Sequence, residues 1–156
     1  MNLIRRRLLC AMTATLALPA AARAAAPLVQ VWKDVSCGCC HDWIDHMKAS
    51  GFAVRAYDEG NVAARQRLGV PARYGSCHTA LVDGYAIEGH VPASEVQRLL
   101  RERPKALGLV VPGMPIGSPG MDGPAYGGRR DAYSVLLLGT DGSTSVYTSY
   151  GARAPG

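Results

Sequence analysis

Cys37-Gly38-Cys39-Cys40 sets three thiols within four residues, at the point where an apolar run, Leu28 to Trp32, gives way to a helical pattern. That junction is the tightest constraint in the chain. It asks for a strand that feeds a helix whose first turn carries the cysteines. Two spacings are superposed: Cys37 and Cys40 form a C-x-x-C pair, as in thiol redox proteins, and Cys37 and Cys39 form the C-x-C pair of soft-metal sites. Free backbone N–H groups and the positive dipole end of a helix favour thiolate over thiol. Thiolate both attacks disulfides and binds metal, so the motif indicates sulfur chemistry and leaves its kind open. The plainer alternative is one quiet disulfide and a spare thiol, although small stapled domains usually spread their cysteines along the chain.

The first residues read as an export signal. Arg5-Arg6-Arg7 is a basic start, Leu8 to Pro19 a short apolar core, and Ala22-Arg23-Ala24 a small-x-small cleavage pattern. Residues 1–24 are therefore assigned to the signal, and residues 25–156 to one domain in the periplasm. The apolar run is too short to span a bilayer, so no membrane association is expected after cleavage. Four of the 17 basic residues and none of the 12 acidic ones lie in the signal, which leaves 13 against 12, a net of +1 in place of +5. The alkaline character thus belongs mostly to the signal, and a nucleic-acid partner loses its support. Cys37, Cys39, Cys40 and Cys77 remain. In an oxidising compartment these thiols need bound metal, or cycling through a disulfide, as a reason to be reduced.

Leu28 to Trp32 reads as a buried strand, and Cys39 to Ser50 as a helix with Cys40, Trp43, Ile44 and Met47 on one face. Phe52 to Tyr57 alternates as a strand, and Val62 to Leu68 is a short helix. Two strand-like runs, His78 to Val82 and Tyr85 to Glu88, flank the hairpin dipeptide Asp83-Gly84. Pro92 opens a helix. The order β-α-β-α-β-β-α, with the cysteines between the first strand and first helix, predicts an α/β fold with a thioredoxin-like core. Val135–Leu138 and Val146–Thr148, about Asp141-Gly142, predict an added C-terminal hairpin. The Gly/Pro-rich stretch from Val111 to Gly128 is too long for a simple connection and reads as a functional loop.

Consecutive helical side chains diverge by about 100°, so one tetrahedral ion cannot easily take all three clustered sulfurs. Zinc sites use two separated knuckles, and one is present. Divergent sulfurs suit several Cu(I) ions bridged by thiolates, with Met114 and Met121 as thioether donors. His78, beside Cys77, is a candidate ligand, and His90 a candidate ligand or an outer hydrogen-bond partner. Met47 reads as core, His41 and His46 as solvated helix residues, and Asp42 and Asp45 as complements to the helix dipole. The redox reading gives Cys37 and Cys40 the catalytic roles. Three functions follow: a multinuclear Cu(I) site that interconverts Cu(I) and Cu(II), a passive Cu(I) chaperone, and a metal-free thiol-disulfide oxidoreductase.

The stretches Ser36–Trp43, Ser76–Ala80, Glu88–Ala93 and Val111–Met121 resemble those of the CopG-type periplasmic copper-resistance proteins, in the same order and over nearly all of Leu28 to Tyr150. The resemblance implies a thioredoxin-like fold, a cysteine-bridged cluster of several copper ions and a part in copper redox chemistry. The expected partners are copper ions and other periplasmic copper-handling proteins, with the chain acting as a monomer.

Overall fold

Alternating side chains in the strands divide the protein into two apolar layers about one sheet. The computed structural model describes residues 25–151, so the export signal read at residues 1–24 lies outside the described residues. In β1 (Leu28–Lys33) and β3 (His78–Val82), Val29, Val31, Ala80 and Val82 point to one face. They meet Trp43, Ile44 and Met47 of α1 (Gly38–Ala49), and Val96 and Leu99 of α3 (Ala93–Glu102). The opposite face is smaller. Ala86 of β4 (Tyr85–Glu88) and Val110 of β5 (Gly108–Val110) pack there with Val70 and Leu138, flanked by Leu68 at the end of α2 (Val62–Arg67).

The sheet runs β2-β1-β3-β4-β5-β6-β7, with β2 at Ala53–Tyr57, β6 at Tyr133–Leu138 and β7 at Thr144–Tyr150. Strand β1 is parallel to β2 and antiparallel to β3, and β3 is antiparallel to β4. This is the thioredoxin-like α/β arrangement expected from the element order, with the C-terminal hairpin added beyond it. The hairpin joins through β5, which the sequence pattern did not reveal because three residues carry too little periodicity. Gly108 allows that junction, since a Cβ there would run into the Ala86 carbonyl. A bulge between β6 and β7 then turns consecutive residues toward α3. The Tyr147 hydroxyl donates to Glu102 (2.9 Å), and the Thr148 hydroxyl to Glu95 (2.8 Å).

Pro92 precedes α3 and has no side-chain oxygen to cap it. The cap comes from α1: His46 Nε2 accepts the Ala93 N–H at 3.1 Å. His46 is thus a half-buried capping group, not the solvated residue expected. Asp42 and Asp45 also differ from expectation, since α1 begins at Gly38 and its first turn carries no acid. Burial holds His46 below its ordinary pKa, with Asp122 opposing weakly. As pH falls, the unfolded chain therefore takes up the proton first. The His46 contribution is full above the unfolded value and is lost as pH falls below about 6.5. Glutamine offers an acceptor of similar reach that does not titrate. Between about pH 7.5 and 5, the melting temperature of metal-free wild type is expected to fall further than that of His46→Gln. Parallel curves would remove the capping role.

Candidate metal centre

The loop after β1 is shaped before any thiol is placed. The Asp34 carboxylate accepts the Ser36 N–H (2.9 Å) and hydroxyl (2.6 Å), and the Asp34 carbonyl accepts the Cys37 N–H (3.1 Å). Cys37 is therefore the N-cap of α1, with Cys39 and Cys40 in the first turn. Cys40 points inward and is fully buried, whereas Cys37 and Cys39 are half-buried. Cys37 and Cys40 are joined in a disulfide, with Cα atoms 5.3 Å apart.

Cys77 arrives from the loop before β3. Its Sγ lies 3.8 Å from that of Cys39, which is itself 3.6 Å from Cys37 Sγ. The four sulfurs form one group of mutually close donors, and Cys77, His78 and His90 form a second. Cys77 belongs to both. On its other side, Cys77 Sγ is 3.0 Å from His90 Nε2 and 3.4 Å from His78 Nδ1. His90 Nδ1 lies 2.8 Å from the Pro119 carbonyl. A carbonyl only accepts, so Nδ1 carries the proton and the Nε2 lone pair faces Cys77. His78 is fully buried against the Trp43 ring, centroids 4.3 Å apart, and its Nε2 has no hydrogen-bond partner among the described residues.

Burial, followed by the neighbouring Cys39, pushes the Cys77 thiol up to about 12. Burial also holds both imidazoles below the ordinary histidine value, His78 well below it, with His90 a further cause at His78. The metal-free site therefore holds neutral imidazoles and a protonated Cys77. A cation would displace that proton and supply the charge that burial withholds from a thiolate. Soft sulfurs with neutral imidazoles, one bearing a buried nitrogen without a partner, form a donor set suited to Cu(I).

A buried clamp fixes Cys77. Glu88, on β4 and fully buried, accepts from Arg65 Nε (2.8 Å), the Ser76 N–H (2.7 Å) and the Thr79 hydroxyl (2.6 Å). Arg65 and Asn61 both donate to the Ser76 carbonyl, at 2.6 and 3.0 Å. Ser76 is thus held at both backbone groups, one residue before Cys77. Following Glu88, Gly89, has φ +74°, and a Cβ there would meet the Ser76 side chain and the Val111 carbonyl. The sequence places Glu88 at the end of a strand-like run and at the start of the Glu88–Ala93 stretch, and gives no local sign of Arg65.

The long loop covers α1. A Cβ on Gly120 would stand 2.6 Å from the Cys39 carbonyl oxygen and 2.8 Å from the Trp43 nitrogen, so only glycine lets the loop lie so close. The two loop methionines differ. Met121 is buried, and its Sδ accepts the Tyr126 hydroxyl at 3.3 Å. Met114 is 52% exposed and lines a cavity of about 450 Å³ with Cys77 and Arg65. Tyr126 was not singled out in the sequence; burial is the first cause that raises its hydroxyl above the ordinary tyrosine value. His41 is exposed on α1, and Met47 is in the core. Among the described residues, no helix is long and apolar enough to cross a membrane.

The family model "Protein of unknown function, DUF411" matches residues 74–121, a span that holds Cys77, His78, His90, Met114 and Met121. No curated protein matches the chain. Two solved structures are similar to it over most of its length. "Copper resistance protein copG", form 2, is 47% identical with a TM-score of 0.74, the match covering 80% of this chain and 98% of that one. Form 1 is 48% identical with a TM-score of 0.73 and the same coverage. With four cysteines gathered at the head of α1 and identity near one half across a shared fold, the chain belongs to the copper-resistance protein family represented by copG.

Proposed function

We propose that this protein is a periplasmic copper-binding protein that holds more than one Cu(I) ion and interconverts Cu(I) and Cu(II) in copper resistance. Cys37, Cys39, Cys40 and Cys77 are the bridging ligands. His78, His90, Met114 and Met121 complete the shell. The observation that carries this reading is the shared position of Cys77 in the two donor groups: one sulfur facing both is suited to bridge neighbouring ions. In anaerobic titration against a competing chelator, the reduced protein is expected to bind more than one Cu(I) per chain. Saturation at one ion or none would sink the multinuclear site.

The redox step balances on Cys37 and Cys40. Two thiols lose two protons and two electrons and form one S–S bond, and two Cu(II) ions become two Cu(I). Cys40→Ser takes the adjacent partner sulfur from Cys37 and is expected to slow anaerobic Cu(II) reduction at least about tenfold, because proximity drives the bond formation. Equally slow reduction in mutant and wild type would leave a passive Cu(I) chaperone. The Cys37–Cys40 disulfide at a helix N-terminus favours one other reading, a metal-free thiol-disulfide oxidoreductase. Disulfide reductase activity that persists without Cu(I) uptake would select it.

A further inference from the structure

Closing Cys37–Cys40 leaves two sulfurs over, and they face each other. Cys39 and Cys77 are free thiols, both half-buried, with Sγ atoms 3.8 Å apart, which is van der Waals contact. A disulfide bond is about 2.05 Å long, so about 1.8 Å remains to be closed, within the range of side-chain rotation. The other sulfurs near Cys39 are those of Cys37, at 3.6 Å, and Cys40, and these two are already engaged with each other. Cys77 is therefore the thiol left for Cys39. The clamp on Ser76 keeps Cys77 at that distance. The two pairs differ in kind: one lies within a single helical turn, and the other would tie α1 to the loop before β3 across 38 residues of sequence.

We propose that Cys39 and Cys77 form a second disulfide, which makes the four cysteines a four-electron redox site. Four thiols lose four protons and four electrons, two S–S bonds form, and four Cu(II) ions, as the one-electron oxidant, become four Cu(I). This rests on the copper-redox reading above and extends it. In the fully oxidised chain no thiolate is left for Cu(I), so copper reduction and copper retention draw on the same four sulfurs. Reduction of the fourth equivalent releases the product.

The test counts electrons and sulfurs together. Fully reduced, metal-free protein is mixed anaerobically with excess Cu(II) in the presence of a chelator that withdraws Cu(I). Remaining thiols are alkylated, and disulfides are located by peptide mass. Wild type is expected to yield four Cu(I) per chain with all four thiols lost and both links, Cys37–Cys40 and Cys39–Cys77, found in the monomer. Cys39→Ser is expected to yield two. Two Cu(I) per chain in wild type, with Cys39 and Cys77 still alkylated, would overturn the second disulfide and leave the proposed function standing. A link through Cys39 or Cys77 to a second chain would overturn it as well. No Cu(I) at all would instead end the redox reading beneath it.

Discussion

Cys77→Ser is expected to cut Cu(I) uptake to at most one ion per chain and to weaken binding by more than about 100-fold. Loss of an outer hydrogen-bond partner already costs a metal site roughly 10–100-fold, and Cys77 is a donor that touches both groups. Its Sγ lies 3.8 Å from Cys39 Sγ and 3.0 Å from His90 Nε2, so its removal separates the sulfurs from the imidazoles. Cys39→Ser leaves the Cys77–His78–His90 group whole and should retain more copper. A competitive chelator titration of both variants checks the order. If Cys77→Ser binds as many ions as wild type, Cys77 is no bridge, and the multinuclear assignment loses its main support.

The second large effect is on stability. Arg65→Ala should lower it by about 3–5 kcal/mol, since breaking a buried pair strands the remaining charge. For a domain of this size that is on the order of 10–20 °C in melting temperature. The Glu88 carboxyl is fully buried, and the Arg65 side chain is 14% exposed, so little water is available to replace the guanidinium. The sign of the pH dependence follows from Glu88. Burial already raises its pKa above the ordinary carboxylate value, against the Thr79, Ser76 and Arg65 contacts that lower it. Without Arg65 the folded value rises further. A carboxyl whose folded pKa lies above its unfolded one contributes stability below the unfolded value and loses it as pH rises through the folded one. The deficit of Arg65→Ala should therefore narrow toward about pH 4 and be widest near neutrality. A deficit independent of pH would mean that packing of the arginine stem, rather than the buried charge, is what is lost. The same variant unclamps Ser76, so weaker Cu(I) binding should accompany the lower melting temperature.

The sequence by itself determined the features that depend on neighbours within a few residues. The apolar alternation of β1 and β3, the Asp83-Gly84 turn and the helical face of Cys40, Trp43, Ile44 and Met47 set the element order up to α3. They also set the cysteine cluster at the head of α1. Those patterns encode short-range geometry, so they can be read without knowing what packs on what. Only the tertiary structure decided the contacts between distant residues. It set Cys77 against Cys39, turned the His90 lone pair inward by way of the Pro119 carbonyl, and joined Arg65 to Glu88 of β4. It also made His46 the cap of a helix on another element, and separated two methionines that looked equivalent into one exposed and one hydrogen-bonded to Tyr126. These contacts depend on sheet order and, around the cysteines, on the close approach of Gly89 to Ser76 and of Gly120 to Cys39. A local pattern carries no record of such approaches, because their energy arises only when separate segments exclude water from one another.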